Sequence, residues 1–252
     1  MSGTMEFLLV QALSLVLPWT AKRPLGDFRD RILFYQKDNR LILISASRFV
    51  LVKIEIAMES KLWPSHFEDQ VLYWKEAQRL RKLLAQSGRI ERASLFAGAL
   101  QLDIVLSDGE KEKVSFADKG VYSGFIRHLA SLDFSTFPTK VNMRPQDFLR
   151  ALRQFRGKNI EVTIERGRLI IIGRDKEGKI IEKTVGVEVR GALTTRFFNR
   201  SQLSQIVRAL LKDLSTGVLD ICIQEFSFDP VGLERGPIRF MVMPVFMLRG
   251  SL

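Results

Sequence analysis

Cysteine is nearly absent from this 252-residue chain. Cys222 stands alone, so no disulfide framework can form within the chain. It lies in the apolar run VLDICI, where a small buried hydrophobe is expected. Histidine is almost as scarce: His66 and His128 are far apart, and no His/Cys/Asp cluster has the spacing of metal ligands. The apolar run Phe7–Leu17 is too short to span a bilayer. It follows Glu6 rather than a positive segment, and Gln11 and Ser14 interrupt it at helical spacing, so a signal peptide is not expected either. GxSxG is missing, neither histidine stands near a candidate nucleophile, and no carboxylate pair falls in an apolar setting. A soluble, intracellular, non-enzymatic protein without cofactor or metal is the expectation.

What is abundant is positive charge. Lysine and arginine number 39 against 28 acids, a net charge of +11. From Lys140 onward 20 basic side chains face 12 acidic ones, so most of the surplus belongs to the second half. A polyanionic partner is implied, and nucleic acid is the commonest.

The periodicity shows where the charge goes. In Phe197–Lys212, Leu203, Ile206, Val207, Leu210 and Leu211 recur at three- and four-residue spacing, while Gln202, Gln205, Arg208 and Lys212 fall opposite. Asn199 or Ser201 is placed to cap the helix. The same design predicts a helix over Pro145–Arg156, with Phe148, Leu149, Leu152 and Phe155 inward and Arg150, Arg153 and Arg156 outward. A third lies over Trp74–Gln86, with Ala77, Leu80, Leu83 and Leu84 inward and Lys75, Arg79 and Lys82 outward. No acid is expected to balance these outward faces.

Taken in order, Met5–Val16 is an amphipathic helix ended by Pro18. Arg31–Tyr35 and Arg40–Ser45 form a hairpin, followed by a strand over Phe49–Met58. Ala93–Ala97, Leu100–Leu106 and Lys113–Phe116 supply further strands. Leu129–Thr139 has no sustained period and carries Phe134 and Phe137, which look exposed; it is read as a linker. Beyond it, Ile160–Glu165 and Leu169–Arg174 form a hairpin, and Lys179–Val189, Leu219–Gln224 and Ile238–Pro244 are strands. Both halves thus run helix, hairpin, strand, helix, strands. The fold class is α+β: two similar domains, 1–128 and 140–252 around a linker 129–139, each with antiparallel sheets and two helices on one face.

One motif invites a catalytic reading. Gly173–Lys179 fits GxxxxGK, but a phosphate loop needs a following Ser or Thr for Mg²⁺ and then a helix. Position 180 is Ile, and IIEKTVGVEV has strand composition, so a hairpin turn is expected and nucleotide hydrolysis is not.

Several segments together resemble the DNA sliding clamps, in particular the two-domain type, proliferating cell nuclear antigen. They are NRLILISASRFVLVKIEI (39–56), VNMRPQDFLRALRQF (141–155), FFNRSQLSQIVRALLK (197–212) and PIRFMVMPVFM (237–247), the last with a bacterial flavour in Val242–Met243–Pro244. The likeness covers nearly the whole chain and lies in joint order and spacing. It implies a ring of six similar domains around duplex DNA, here a homotrimer closed head to tail by the edges Lys111–Ala117 and Ile180–Gly186. It places Arg79, Lys82, Arg150, Arg153, Arg208 and Lys212 on sequence-independent contacts to double-stranded DNA. It also implies a processivity role, in which DNA polymerase and other clients dock short peptide motifs at Ile44, Arg48, Phe49, Leu132, Phe134, Met243, Pro244 and Phe246. Whether a clamp loader is needed stays open.

Two features depart from that family. Its well-known members are net acidic, and the first helix here carries no Lys or Arg on its polar side. Basic clamp-fold processivity factors of the herpesvirus type, acting without ring closure as monomer or dimer, are the alternative.

Overall fold

The first helix, α1 (Met5–Val16), turns Leu9, Ala12, Leu13 and Val16 into a closed core. A 3-10 turn, Leu17–Trp19, follows at Pro18, whose ring cannot continue the helical ladder. In this computed structural model the described residues are 5–23, 25, 28–37, 39–57, 70–87, 90–95, 101–106, 109–115, 131, 133–212, 217–226 and 229–245. The chain divides into two compact units, Met1–Leu132 and Asp133–Leu252.

In the first unit, β1 (Arg31–Lys37) and β2 (Arg40–Ala46) form the expected hairpin, closed at the pair Lys37 and Arg40. Asn39 in the turn has φ of 58°, the left-handed conformation that such tight loops require. Next come β3 (Val50–Ala57) and β4 (Gln70–Tyr73), giving the antiparallel run β4-β1-β2-β3. Six consecutive residues of β2, Leu41 to Ala46, are buried, which means that both its faces are covered. Ser45, fully buried there, is satisfied by the Thr20 hydroxyl at 2.7 Å. The second helix, α2 (Trp74–Ser87), packs on α1. A three-stranded sheet follows: β5 (Ile90–Leu95), β6 (Gln101–Leu106) and β7 (Lys111–Ser115), in that order.

The second unit begins its regular structure with β8 (Thr139–Met143) and α3 (Pro145–Leu152). A four-stranded sheet contains β9 (Asn159–Glu165), β10 (Arg168–Arg174), β11 (Ile180–Gly186) and β13 (Thr194–Asn199), in the order β11-β10-β9-β13. The short β12 (Glu188–Arg190) crosses to β8. After α4 (Arg200–Leu210), β14 (Leu219–Ile223), β15 (Val231–Arg235) and β16 (Ile238–Val242) complete the run β12-β8-β14-β15-β16. The two helices pack on each other, α3 against β11 and α4 against β13. The fold is α+β, with antiparallel sheets and four helices among the described residues.

Several expectations need correction. Phe134 and Phe137 are buried, not exposed, at 4% each. Their rings lie 5.1 Å apart, and Phe134 covers Gly232, where a Cβ would come within 2.7 Å of the ring. A glycine there lets an aromatic ring lie directly on the sheet. Strands β4, β8 and β15 had no expected counterpart; each is at most five residues long, too short to show a period. The strand expected over Lys179–Val189 breaks at Val187, so that its end pairs with β8 instead of β10. Helix α3 stops at Leu152 and α4 at Leu210, because their last turns tighten: Gln154 N–H donates to Ala151 O and Lys212 N–H to Ala209 O, both at 3.1 Å. Tightening swings Phe155 into the core, fully buried near Gly173 and Ile160.

Gly191 has φ of +108°, and a Cβ there would collide with the Pro138 carbonyl oxygen. Gly191→Ala is expected to lower unfolding free energy by roughly 1–3 kcal/mol, and Leu152→Ala, at a fully buried position, by about 2–5 kcal/mol. Urea denaturation of each variant checks both; an unchanged midpoint for Gly191→Ala would remove the strain argument.

Candidate nucleic-acid interface

Each helix that carries candidate cations is fixed by its apolar face. On α2, Ala77, Leu80 and Leu84 are buried and Lys75, Arg79 and Lys82 are exposed. On α3, Phe148, Leu149 and Leu152 are buried and Arg150 points outward, followed by the exposed Arg153 at the helix end. On α4, Leu203, Ile206, Val207 and Leu210 are buried, Arg208 is exposed in the last turn, and Lys212 lies exposed just beyond. The Asn199 side chain caps α4 by accepting from Gln202 N–H at 3.1 Å. All six expected DNA contacts are therefore at the surface: Arg79 and Lys82 in the first unit, and Arg150, Arg153, Arg208 and Lys212 in the second.

The outward faces are not free of acids, contrary to expectation. Arg79 donates to Glu112 of β7 at 2.6 Å, and Arg150 pairs with Asp147 three residues earlier at 3.2 Å. Glu112 is remote in sequence, so helical periodicity could not reveal it. Asp147 sits in the first turn of α3, where the helix dipole favours a carboxylate. Both pairs are solvent-exposed and worth about 0–1 kcal/mol each, weak enough for a phosphate to displace.

The residues expected to receive a client peptide are placed differently from one another. Ile44 is fully buried in β2, because β2 is covered on both faces. Phe134 is buried as described, so neither presents a side chain to a ligand. Arg48 and Phe49 are exposed on the β2–β3 turn, the guanidinium 5.1 Å from the ring centroid. That turn is closed by Ser47 N–H donating to Val50 O at 2.7 Å and Val50 N–H to Ser47 Oγ at 3.2 Å. Met243 is 40% exposed and Pro244 half-buried. The next residue, Val245, donates its N–H to Phe197 O at 2.8 Å, holding the tail beside β13. Leu132 and Phe246 lie outside the described residues, as do both histidines.

No protein-family model matches this chain, and no curated protein matches it in sequence. Its architecture does match solved structures. DNA polymerase III subunit beta from Pseudomonas aeruginosa superposes with a TM-score of 0.77 at 15% identity, covering 96% of this chain and 65% of its own. The beta subunit from Thermotoga maritima gives 0.78 at 15%, covering 96% and 64%. The DnaN sliding clamp from Bartonella birtlesii, bound to griselimycin, gives 0.73 at 16%, covering 96% and 65%. The fold is that of a DNA sliding clamp. The chain spans just under two thirds of the length of these clamps, 64% or 65%.

Within the clamp fold, β7 and β11 are among the strands that end their sheets. Strand β7 closes the order β5-β6-β7, and β11 opens the order β11-β10-β9-β13. Beside β11, a cleft of about 620 Å³ runs along α3, between Asp147, Arg150, Ala151 and Gln154 on one side and Lys183 and Val185 on the other. A larger open cleft of about 830 Å³ in the same unit is lined by Lys140, Asn142, Asp220, Cys222, Glu188 and Glu234, among others. Asp220 and Glu234 are directly paired across β14 and β15, and the Asn142 amide donates to Asp220. Burial pushes both carboxyls above their ordinary range. No group of three or more metal-ligating side chains occurs among the described residues, and none of their helices is long and apolar enough to cross a membrane.

Sequence reading missed Arg196. It is 3% exposed, yet its guanidinium donates to the carbonyls of Thr195, Gln224, Glu225 and Phe226, tying the β14–β15 loop to β13. Its only sequence signal is an inward position in the alternation of TTRFFN.

Cys222 is buried, and its thiol is pushed up to about 12, first by burial and then by Glu234 and Asp220. A thiol held protonated is a poor nucleophile. Native protein at pH 8 is therefore expected to resist iodoacetamide, with full alkylation only in denaturant; intact-mass spectrometry reads the difference, and rapid native labelling would contradict the burial.

Proposed function

We propose that this chain is a DNA sliding clamp, a polymerase processivity factor that closes as a ring around duplex DNA. The likeness of fold over 96% of the chain carries the reading. The exposed cations on α2, α3 and α4 support it, since they supply phosphate contacts without base readout. Each contact is weak and exchangeable, so the ring holds the duplex by topology while remaining free to move along it. No catalytic step is assigned to the clamp; the chemistry belongs to the tethered enzyme.

A chain of two clamp units builds a six-unit ring from three copies. Such a ring closes head to tail, through different surfaces on each copy. Strands β11 and β7 are suited to that contact, because each leaves one row of backbone groups unpaired within its own sheet. The cleft beside β11 gives room for side chains from a neighbouring copy. Clients, DNA polymerase among them, dock short peptide segments against Arg48, Phe49, Met243 and Pro244, the exposed or half-buried members of the set that the resemblance assigns. The Bartonella clamp, bound to griselimycin, shows that this fold accepts a ligand in at least one relative.

The net charge of +11 favours one second reading, a clamp-fold subunit that binds DNA electrostatically without closing a ring. Light scattering separates the two: about three chains per particle is expected for the ring, and a single-chain mass removes it. Retention on circular duplex is a further check, because a ring stays on a circle and runs off linear ends in moderate salt. Arg150→Glu with Arg153→Glu is expected to weaken DNA association roughly tenfold or more at about 0.1 M salt while leaving the melting temperature unchanged. Unaltered affinity at low salt would retire the helix-face assignment.

A further inference from the structure

The second unit concentrates positive charge at one end, outside the helix faces. Three segments meet there: the loop after α3, the β10–β11 turn and the first residue of α4. The Arg156 and Gly157 N–H groups both donate to the Arg174 carbonyl, at 2.7 and 3.2 Å, and the Arg200 N–H donates to the Lys158 carbonyl at 2.9 Å. The Arg200 guanidinium adds a bond from Nε to the Gly157 carbonyl at 3.1 Å. Arg174 donates to the Gly178 carbonyl at 2.7 Å, which braces the turn. Arg153, Arg156, Lys158, Arg174, Lys176 and Lys179 are all exposed on this framework.

Asp175 and Glu177 offset only part of this charge. Asp175 is turned inward, accepting from the N–H groups of Glu177 and Lys179 at 2.8 and 3.0 Å. Glu177 is shared between Lys176 at 3.9 Å and Lys179 at 3.5 Å. Among the described residues Arg156 and Lys158 make no ion pair. The side chains of Arg156, Lys158, Lys176 and Lys179 also take no part in the hydrogen bonds that assemble this end. Arg156 and Lys158 hold their charge beside these other cations on a rigid base, at a cost in repulsion, and gain no ion pair inside the molecule for it.

The same hydrogen bonds exclude one ligand. A phosphate loop grips a free nucleotide with backbone amides, but here Asp175 already occupies those of Glu177 and Lys179. What remains is a fan of long cationic side chains, suited to a chain of phosphates. We infer that this end of the second unit is a further contact surface for the phosphate backbone of duplex DNA, adjoining the α3 face at Arg153 but separate from it. The inference rests on the reading of the chain as a DNA-binding clamp; it does not need the ring to close.

The test uses the full chain and a short blunt linear duplex, with affinity measured over a salt series. Arg156→Glu with Lys158→Glu is one variant, Lys176→Glu with Lys179→Glu a second, and Arg156→Lys with Lys158→Arg a charge-preserving control. Each lost phosphate contact is expected to reduce the slope of log K against log salt by about 0.9, or about 1.8 for a pair, with affinity at 0.1 M salt falling roughly eightfold per contact. The control keeps the wild-type slope. Unchanged slopes in both charge-reversal variants would overturn the assignment. So would a loss of affinity that appears only together with a fall in particle mass, since the patch would then face another copy of the chain. Should the wild-type protein slip from circular DNA, the ring reading fails alone, because the linear duplex reports the patch independently of closure.

Discussion

The apolar faces of the helices decide where every candidate DNA contact points. On α4 four side chains, Leu203, Ile206, Val207 and Leu210, are all within 2% of full burial. Burying each is worth about 1.5–3 kcal/mol, whereas an exposed ion pair such as Arg150–Asp147 contributes about 0–1 kcal/mol. Rotating the helix to satisfy its charges would cost several times what those charges can return. The arginines and lysines are therefore outward by exclusion, and their orientation survives whether or not DNA is present. This is the preorganisation that a weak, exchangeable contact surface needs, because no folding free energy is drawn from the phosphates.

The sheets obey a second constraint, that buried polar groups find partners. Where the chain leaves regular pairing it recruits side chains. Arg196 satisfies three successive carbonyls of the β14–β15 loop, and Asp175 satisfies two amides of the β10–β11 turn. Ser45 and Thr20 answer each other inside the first unit. Strands at sheet ends, β7 and β11 among them, leave their outer rows unpaired within the sheets they belong to. Open edges of this kind are places where another chain can add.

Charge was the property most visible from composition and the least informative about place. Much of the surplus from Lys140 onward lies on the faces of α3 and α4 and at the end of the unit where Arg156, Lys158 and the β10–β11 turn meet. Helical periodicity locates the first group, since it concerns neighbours three and four apart. The second group is gathered by backbone hydrogen bonds between positions 156 and 174 and between 158 and 200, which no local pattern announces. Glu112, the partner of Arg79, was hidden for the same reason.

Read alone, the residues were enough for the long elements and their order: α1, α2, the β1–β2 hairpin, β3, the β9–β10 hairpin and the apolar stripe of α4. Each has a sustained period of 3.6 or 2, and burial enforces that period. They were also enough to reject the phosphate loop, because Ile180 begins a strand. They were not enough for the burial of Phe134 and Phe137, the inaccessibility of Ile44, or the short strands β4, β8 and β15. Those depend on what lies opposite in space: a glycine under an aromatic ring, a strand covered on both faces, a ladder partner distant in the chain. Periodicity reports which side of an element is apolar; only the packed structure says what that side meets.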